Sequence, residues 1–145
     1  MASNLRILAW NANGLLQHKE LLQITLIEHN IDVCLISETH FTRESYLKLR
    51  GINVYHTIHP SNCARGCNAV IVTDSLSHCE DVKAEKEEYQ VTPVKLKTST
   101  GEITVAAIYS PPRNNLKLGD YHSPLQSISG KFIIDGDFNS KHTFS

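Results

Sequence analysis

Runs of apolar residues divide the first part of the chain into two strands and a helix. Leu5–Asn11 carries mostly apolar residues on both of its alternating sets, which is typical of a strand covered on both faces. Leu15–Asn30 places leucines on one side at helical spacing, which favours a helix. Ile31–Ser37 is a short apolar run rich in β-branched residues and predicts a second strand. Because the crossover between them is helical, the two strands are expected to run parallel.

The rest of the pattern predicts strands with little helix. Ile52–Ile58 and Ala69–Thr73 are two strand-like runs on either side of a loop that contains proline and glycine. Tyr89–Lys97 and Ile103–Tyr109 are separated by a short polar turn and predict a hairpin. Phe132–Asp135 is a last buried strand. This order, β-α-β followed by antiparallel strands, predicts a mixed α/β sandwich.

Composition and charge narrow the class of protein. The chain has 145 residues, of which 41% are hydrophobic and 20% charged, as expected for one soluble globular domain. A net charge of −1 means that any binding to nucleic acid depends on local placement of charge. Neither a signal-peptide pattern nor a membrane-spanning apolar run stands out. We expect an intracellular protein without a membrane partner.

The cysteines leave two interpretations open. A cytosolic setting favours free thiols over disulfides. His59, Cys63, Cys67 and His78 also suggest a zinc site, although their spacing is not that of a finger or ribbon and contains no C-x2-C pair. The alternative is unpaired thiols in a stretch rich in loops.

The polar residues of greatest interest lie at the carboxyl ends of predicted strands. Strand ends converge in space, so their side chains are expected to meet. A carboxylate, a carboxamide and a phenol together offer hard oxygen ligands for Mg²⁺ and hydrogen bonds for a phosphate. Metal-assisted phosphodiester hydrolysis uses such a set, with a second carboxylate acting on the attacking water. The residues are Asn11, Asn13, Glu38, Tyr109, Asp137 and Asn139.

Each of these residues also has an ordinary structural interpretation. Asn11 and Asn13 precede Gly14 and suit a tight turn. Glu38 could be an exposed residue after a strand, and Tyr109 a buried aromatic with its hydroxyl at the rim. The polar residues after the last strand could cap the element that follows.

The residue types and the order of four motifs favour the catalytic interpretation. Trp10–Gly14, Ser37–His40, Ile108–Pro112 and Gly136–Asn139 together resemble the endonuclease/exonuclease/phosphatase superfamily. That resemblance implies a four-layer α/β/β/α sandwich. Within the superfamily the chain is most similar to the apurinic-type endonuclease domain of non-LTR retrotransposons, and especially to the insect jockey group. Segments that carry this closer similarity include Leu5–Gly14, Glu38–Phe41, Ala64–Gly66, Tyr109–Arg113 and Gly136–His142.

The resemblance implies a role for each strand-end residue. Glu38 would ligate Mg²⁺ or Mn²⁺, with Asn11 beside it. Tyr109 would contact the scissile phosphate. Asp137 would act on the water nucleophile, and Asn139 would hydrogen-bond the phosphate or hold Asp137 in place.

Further residues and partners follow from the same resemblance. Asn13 is a possible further residue beside the metal, while His40 and His142 are expected to support the site or face DNA. The implied reaction nicks DNA and leaves a 3′-hydroxyl, which a reverse transcriptase domain of the same polyprotein extends. A nuclear location follows from that role.

The chain also departs from the family's pattern. It ends at Ser145, before an aspartate and a Ser-Asp-His motif that the family uses, so residues 1–145 are expected to form a single incomplete domain that lacks its C-terminal strands and is inactive as a fragment. Cys67 and Asp135 stand where the group usually has glycine, and we expect strain in the turn or crowding of the site there.

Two other functions are compatible with these departures. One is an inactive transposon-derived remnant that serves as a structural or nucleic-acid-binding module. The other keeps the fold and hydrolyses different phosphate esters, as relatives act on inositol phosphates, sphingomyelin or poly(A). The similarity of the motifs to the jockey group favours DNA as the substrate.

Overall fold

The computed structural model describes residues 4–62, 66–110 and 131–137, with the backbone alone at residue 137. These residues form nine strands, one α-helix and a 3₁₀ turn. In chain order they are β1 (Ile7–Asn11), the 3₁₀ turn (Leu16–His18), α1 (Lys19–Glu28), β2 (Val33–Ser37), β3 (Ile52–Thr57), β4 (Asn68–Thr73), β5 (His78–Glu80), β6 (Ala84–Glu85), β7 (Gln90–Thr98), β8 (Gly101–Tyr109) and β9 (Phe132–Asp137).

The strands form two sheets. The first sheet has the order β1-β2-β4-β3, with β1 and β2 parallel and the other pairs antiparallel. The second sheet has the order β5-β7-β8-β9, with β6 also paired to β7. β7 and β8 form an antiparallel hairpin, and β9 runs parallel to β8. The parallel β-α-β unit and the hairpin expected from the sequence are both confirmed.

Burial on both faces explains why β2 is a continuous apolar run. Val33 and Leu35 point into the core between the two sheets, while Cys34 and Ile36 point to the opposite face. All five residues of this strand are buried. The core between the sheets is completed by Val70, Val72, Val94, Leu96, Val105 and Ala107.

The outer face of the first sheet is covered by α1 and by the segment that follows β2. Leu22 is the buried residue of the helix and joins the cluster on this face. Phe41, Leu47 and Leu49 anchor the segment between β2 and β3 in the same cluster. Helix, first sheet and second sheet therefore form successive layers, and the mixed α/β sandwich expected from the sequence is confirmed. No helix in the described ranges is long and apolar enough to cross a membrane.

Several boundaries differ from the sequence expectation. The predicted helix from Leu15 begins at Lys19, after the 3₁₀ turn, and ends at Glu28. The last strand was expected to be buried, but Phe132 and Ile133 are exposed. It extends beyond Asp135 because its pairing with β8 continues to the pair of Tyr109 and Asp137. Asp137 is therefore the final residue of a strand and does not follow one. The short strands β5 and β6 were not predicted.

Candidate functional site

The ends of β1 and β2 form the first part of the site. Asn11 pairs with Ser37 at the last position of the two parallel strands. Beyond them the backbone pairing continues into the loops: the N–H groups of Ala12 and Gly14 donate to the carbonyl oxygens of Ser37 and Glu38 at 3.0 and 2.8 Å. The loop after β1 and the loop that carries Glu38 are therefore held side by side.

Asn11 shapes its own loop. Its Oδ1 accepts a hydrogen bond from the N–H of Asn13 at 3.1 Å, so the turn interpretation of these residues is correct. The carbonyl oxygen of Asn13 accepts a hydrogen bond from Gln17 Nε2 at 2.9 Å. Both asparagine side chains are exposed. Because an amide oxygen has two lone pairs, the Asn11 turn leaves that oxygen able to bind a further group.

The loop before β4 fixes the backbone around Glu38. The Glu38 N–H donates to the Cys67 carbonyl at 2.9 Å, and the His40 N–H donates to the Gly66 carbonyl at 3.0 Å. The Glu38 and His40 side chains are partly exposed. Three loops, after β1, after β2 and before β4, thus meet at one edge of the first sheet.

Tyr109 brings the second sheet to this edge. It is the last residue of β8 and its side chain is 7% exposed. The ring packs directly on Gly66, so closely that a β carbon on that glycine would lie 2.0 Å from Tyr109 Cε1. Gly66 is the residue whose carbonyl holds His40, so Tyr109 and the Glu38 loop share a contact.

β9 places one more residue beside Tyr109. Asp137 pairs with Tyr109 in the parallel register of β8 and β9. Gly136 permits this approach, because a β carbon there would lie 1.8 Å from the Ile108 carbonyl oxygen. Asn11, Asn13, Glu38, His40, Tyr109 and the backbone of Asp137 therefore lie at one edge of the sandwich. The Asp137 side chain, Asn139 and His142 lie outside the described residues.

Unusual backbone conformations are concentrated in these loops. Asn13, Glu38, His40 and Cys67 have positive φ angles of 45°, 55°, 57° and 68°. Such conformations cost on the order of 1–3 kcal/mol each, and they are common where function fixes the backbone. The strain expected at Cys67 is confirmed. Asp135 lies within β9, where an extended backbone suits any residue, so the expectation of a strained turn there is wrong.

The histidines and cysteines of the alternative zinc interpretation make other contacts. His78 Nε2 lies 2.8 Å from Tyr55 Oη, and its Nδ1 lies 2.6 Å from the Leu76 carbonyl oxygen. The backbone N–H of His59 donates to Cys67 Sγ at 3.2 Å. Among residues 4–62, 66–110 and 131–137, no three histidine, cysteine, aspartate or glutamate side chains gather as a metal site. Cys63 lies outside these ranges.

Cys34 and Cys79 are free thiols, as the sequence analysis favoured. Cys34 and Cys67 are buried, and Cys79 is exposed. Burial raises the pKa of the Cys34 thiol to about 12, because the thiolate would lose its hydration in the core. Cys34 is therefore an unreactive core residue.

Sequence reasoning identified the strand-end residues but missed the contacts that hold them in place. Gly66 was noted as part of a motif, whereas its contact with Tyr109 was not foreseen. A glycine in the loop just before an apolar strand is a signal for the close approach of another group, and it could have indicated this contact.

Comparison with known proteins identifies the family. Residues 8–145 match the endonuclease/exonuclease/phosphatase family. The chain is 40% identical over 140 residues to the RNA-directed DNA polymerase from mobile element jockey of Drosophila melanogaster, a match that covers 97% of the chain. It is 34% identical over 139 residues, or 95% of the chain, to the probable RNA-directed DNA polymerase from transposon X-element of the same species. The chain spans about 15% of the length of each of these relatives.

Solved structures share the fold. The endonuclease domain of TRAS1, a telomere-specific non-LTR retrotransposon, is 21% identical and superposes with a TM-score of 0.69. That match covers 94% of this chain and 61% of the TRAS1 chain. The catalytic domain of Xenopus laevis APE2 is 21% identical with a TM-score of 0.63, over 94% of this chain and 59% of that one.

Proposed function

Because this chain belongs to the endonuclease/exonuclease/phosphatase family, we propose that it is part of a DNA-nicking endonuclease domain of a jockey-like retrotransposon protein. The observation that carries the proposal is that Asn11, Glu38 and Tyr109 lie at one edge of the sandwich, although they come from the ends of three strands in two sheets. A carboxylate, a carboxamide and a phenol gathered in this way suit phosphodiester hydrolysis.

The donor set fits a hard divalent cation. Glu38 supplies a partly exposed carboxylate, and Asn11 supplies an amide oxygen at the neighbouring strand end. Mg²⁺ is typically bound through one or two carboxylates while it keeps several water ligands, so a site with few protein ligands is suitable. Glu38 and Asn11 would hold Mg²⁺ or Mn²⁺, with Asn13 as a possible further residue. When bound, the ion would neutralise negative charge that develops on the phosphoryl oxygens.

The remaining residues act on the substrate and the water. Tyr109 is nearly buried, so its ring is fixed by Gly66 and its hydroxyl can be directed at a phosphate oxygen. Asp137, in the strand next to Tyr109, would orient or deprotonate the attacking water. Asn139 would hydrogen-bond the phosphate or hold Asp137, and His40 and His142 would support the site or face DNA.

The proposal extends to a partner domain and a location. Those relatives are named RNA-directed DNA polymerases, so we propose that a reverse transcriptase domain in the same polyprotein extends the 3′-hydroxyl left by the nick. A nuclear location accompanies this role. The match covers only 61% of the TRAS1 endonuclease chain. We therefore expect residues 1–145 to be part of a single larger domain, and efficient nicking to need the whole of that domain.

The test compares Glu38→Gln with wild type in the parent protein that contains this chain. With Mg²⁺ and supercoiled plasmid, wild type should produce nicked circles and Glu38→Gln should produce none, because the variant loses the anionic ligand. Glu44→Gln is the matched control: Glu44 lies six residues further along, is exposed, and should leave nicking unchanged. Circular dichroism should show the same fold in all three proteins.

Other outcomes separate the alternatives. Retained nicking by Glu38→Gln would remove Glu38 from the metal site. If a soluble phosphate ester were hydrolysed and plasmid were not, the assignment to DNA would be wrong. Binding of DNA by wild type without any cleavage would favour a nucleic-acid-binding module over an enzyme.

A further inference from the structure

A buried polar layer lies between the two sheets at the edge that carries the candidate site. The fully buried side chains of the main cluster between the sheets are aliphatic. At this edge Thr57 and Asn68 of the first sheet meet Gln90 and Thr92 of the second, and all four are fully buried. Buried polar groups destabilise a core unless they are hydrogen-bonded, so this layer depends on its internal contacts.

Asn68 makes the central contacts of the layer. Its Nδ2 donates to the backbone carbonyl of Gln90 at 2.8 Å. Its Oδ1 accepts a hydrogen bond from the Thr92 hydroxyl. The Thr92 hydroxyl also lies 2.7 Å from Thr57 Oγ1, and Thr57 Oγ1 donates to the Val91 carbonyl at 3.1 Å. Donor and acceptor of one amide are thus both used to join β4 to β7.

The position of Asn68 connects this joint to the site. Asn68 pairs with Ser37, the residue before Glu38, and it follows Cys67, whose carbonyl accepts the Glu38 N–H. On the opposite sheet, Gln90 pairs with Tyr109. One side chain therefore links the backbone that fixes Glu38 to the strand pair that carries Tyr109.

We propose that Asn68 is a positioning residue that holds the Glu38 loop at a fixed place relative to Tyr109 by hydrogen-bonding across the two sheets. The proposal rests on the proposed function, in which Glu38 binds the metal and Tyr109 contacts the phosphate. In this proposal the Asn68 side chain touches neither the metal nor the phosphate. Its effect passes through the backbone of Ser37 and Cys67 on one side and of Gln90 on the other.

A purely stabilising role makes a different prediction. If the layer only holds the sheets together, loss of any of its hydrogen bonds lowers the free energy of unfolding and leaves the Glu38 loop unchanged in the folded protein. If Asn68 positions the loop, its loss loosens Glu38 more than the rest of the first sheet. Thr57 provides the comparison: it belongs to the same layer and pairs with Asn68, but its strand β3 lies on the side of β4 away from β2 and the Glu38 loop.

The test uses Asn68→Leu, which keeps the branched shape of the side chain and removes both hydrogen-bonding groups, with Thr57→Val as the matched control. Amide hydrogen exchange on the full chain is the first readout. In Asn68→Leu the protection of the Glu38 N–H should fall by about tenfold or more relative to that of Leu35, because the lost anchor permits local opening. In Thr57→Val the two amides should keep their relative protection.

Mn²⁺ binding, followed by electron paramagnetic resonance, is the second readout. Asn68→Leu should bind Mn²⁺ about tenfold more weakly than wild type, as expected when the support of a metal ligand is lost. Thr57→Val should bind with unchanged affinity. Equal changes in the two variants, in exchange and in Mn²⁺ affinity, would overturn the positioning role.

Two further measurements keep the outcomes distinct. Thr92→Val removes a single hydroxyl and should shift both readouts in the same direction by a smaller amount, which provides a result if Asn68→Leu fails to fold. In that case, unchanged amide exchange and unchanged Mn²⁺ affinity in Thr92→Val would count against the proposal. Glu38→Gln distinguishes the two ideas: if wild type and Glu38→Gln bind Mn²⁺ equally, the proposed metal site fails, while the exchange experiment still decides the role of Asn68.

Discussion

At the scale of single residues, the site depends on backbone conformations that few residues adopt. Glu38, His40 and Cys67 all have positive φ, and none of them is glycine. Their backbone hydrogen bonds to neighbouring loops hold these conformations in place. Gly66 differs, because it combines a positive φ with direct contact to Tyr109. A side chain there would act on the site through packing as well as through strain.

Gly66→Ala is expected to destabilise the protein more than Gly51→Ala. Both glycines have positive φ, but a β carbon on Gly51 meets no atom within 4 Å. Gly51→Ala should lower the free energy of unfolding by about 1 kcal/mol from strain alone. Gly66→Ala should cost roughly 1–3 kcal/mol more, because the Tyr109 ring must move. Chemical denaturation measures the difference, and equal losses would show that the Tyr109 contact carries no energy.

At the scale of elements, the pairing of β8 with β9 determines where Asp137 lies. The two strands are parallel, and their register places Asp137 beside Tyr109. Gly136 lies against the Ile108 backbone with no space for a β carbon. The absence of a side chain at this one position is therefore a condition for the pairing.

Gly136→Ala is expected to push β9 away from β8. The added methyl group would overlap the Ile108 carbonyl oxygen, so we expect a loss of roughly 1–3 kcal/mol in the free energy of unfolding. Amide exchange should also show weaker protection at the end of β8. Asp135→Ala, an exposed change in the same strand, should stay within about 0.5 kcal/mol of wild type. Similar losses in both variants would contradict this account of the glycine.

At the scale of the whole molecule, the partly buried His56 links stability to pH. Burial lowers the pKa of His56 below its ordinary value of 6.5, and the charge of Lys83 lowers it further, against smaller opposing effects of Glu80 and Glu85. The ring packs edge-on against Phe41 with centroids 5.2 Å apart, and its Nδ1 has no hydrogen-bond partner among the described residues. The folded state therefore favours the neutral imidazole.

His56→Phe is expected to weaken the dependence of stability on pH. Above pH 6.5 the ring is neutral in both states; as the pH falls through 6.5, the unfolded chain binds a proton that the folded chain does not. The free energy of unfolding should thus decrease towards about pH 5, and by less in His56→Phe. Thermal unfolding at several pH values measures this, with the exposed His29→Gln as control. An unchanged pH dependence in His56→Phe would show that another group is responsible.

The sequence by itself determined the local elements and the chemistry offered at their ends. β2 was predictable because burial on both faces demands a continuous apolar run, and the hairpin of β7 and β8 because a polar turn separates two strand-like runs. The motifs around Asn11, Glu38 and Tyr109 were also sufficient to indicate the family, which comparison then confirmed. These features depend on residues that are neighbours along the chain, and the periodicity and the motifs of the sequence show such neighbours directly.

Only the tertiary structure decided which strand ends meet. The insertion of β4 between β2 and β3, the contact of Tyr109 with Gly66 and the bond from Asn68 to Gln90 join residues that are far apart in the sequence. β5 and β6 are too short to show a periodic pattern, and they exist because β7 offers them a partner. Hydrogen bonds between strands and close packing depend on positions in space, which an alternation of apolar and polar residues does not encode.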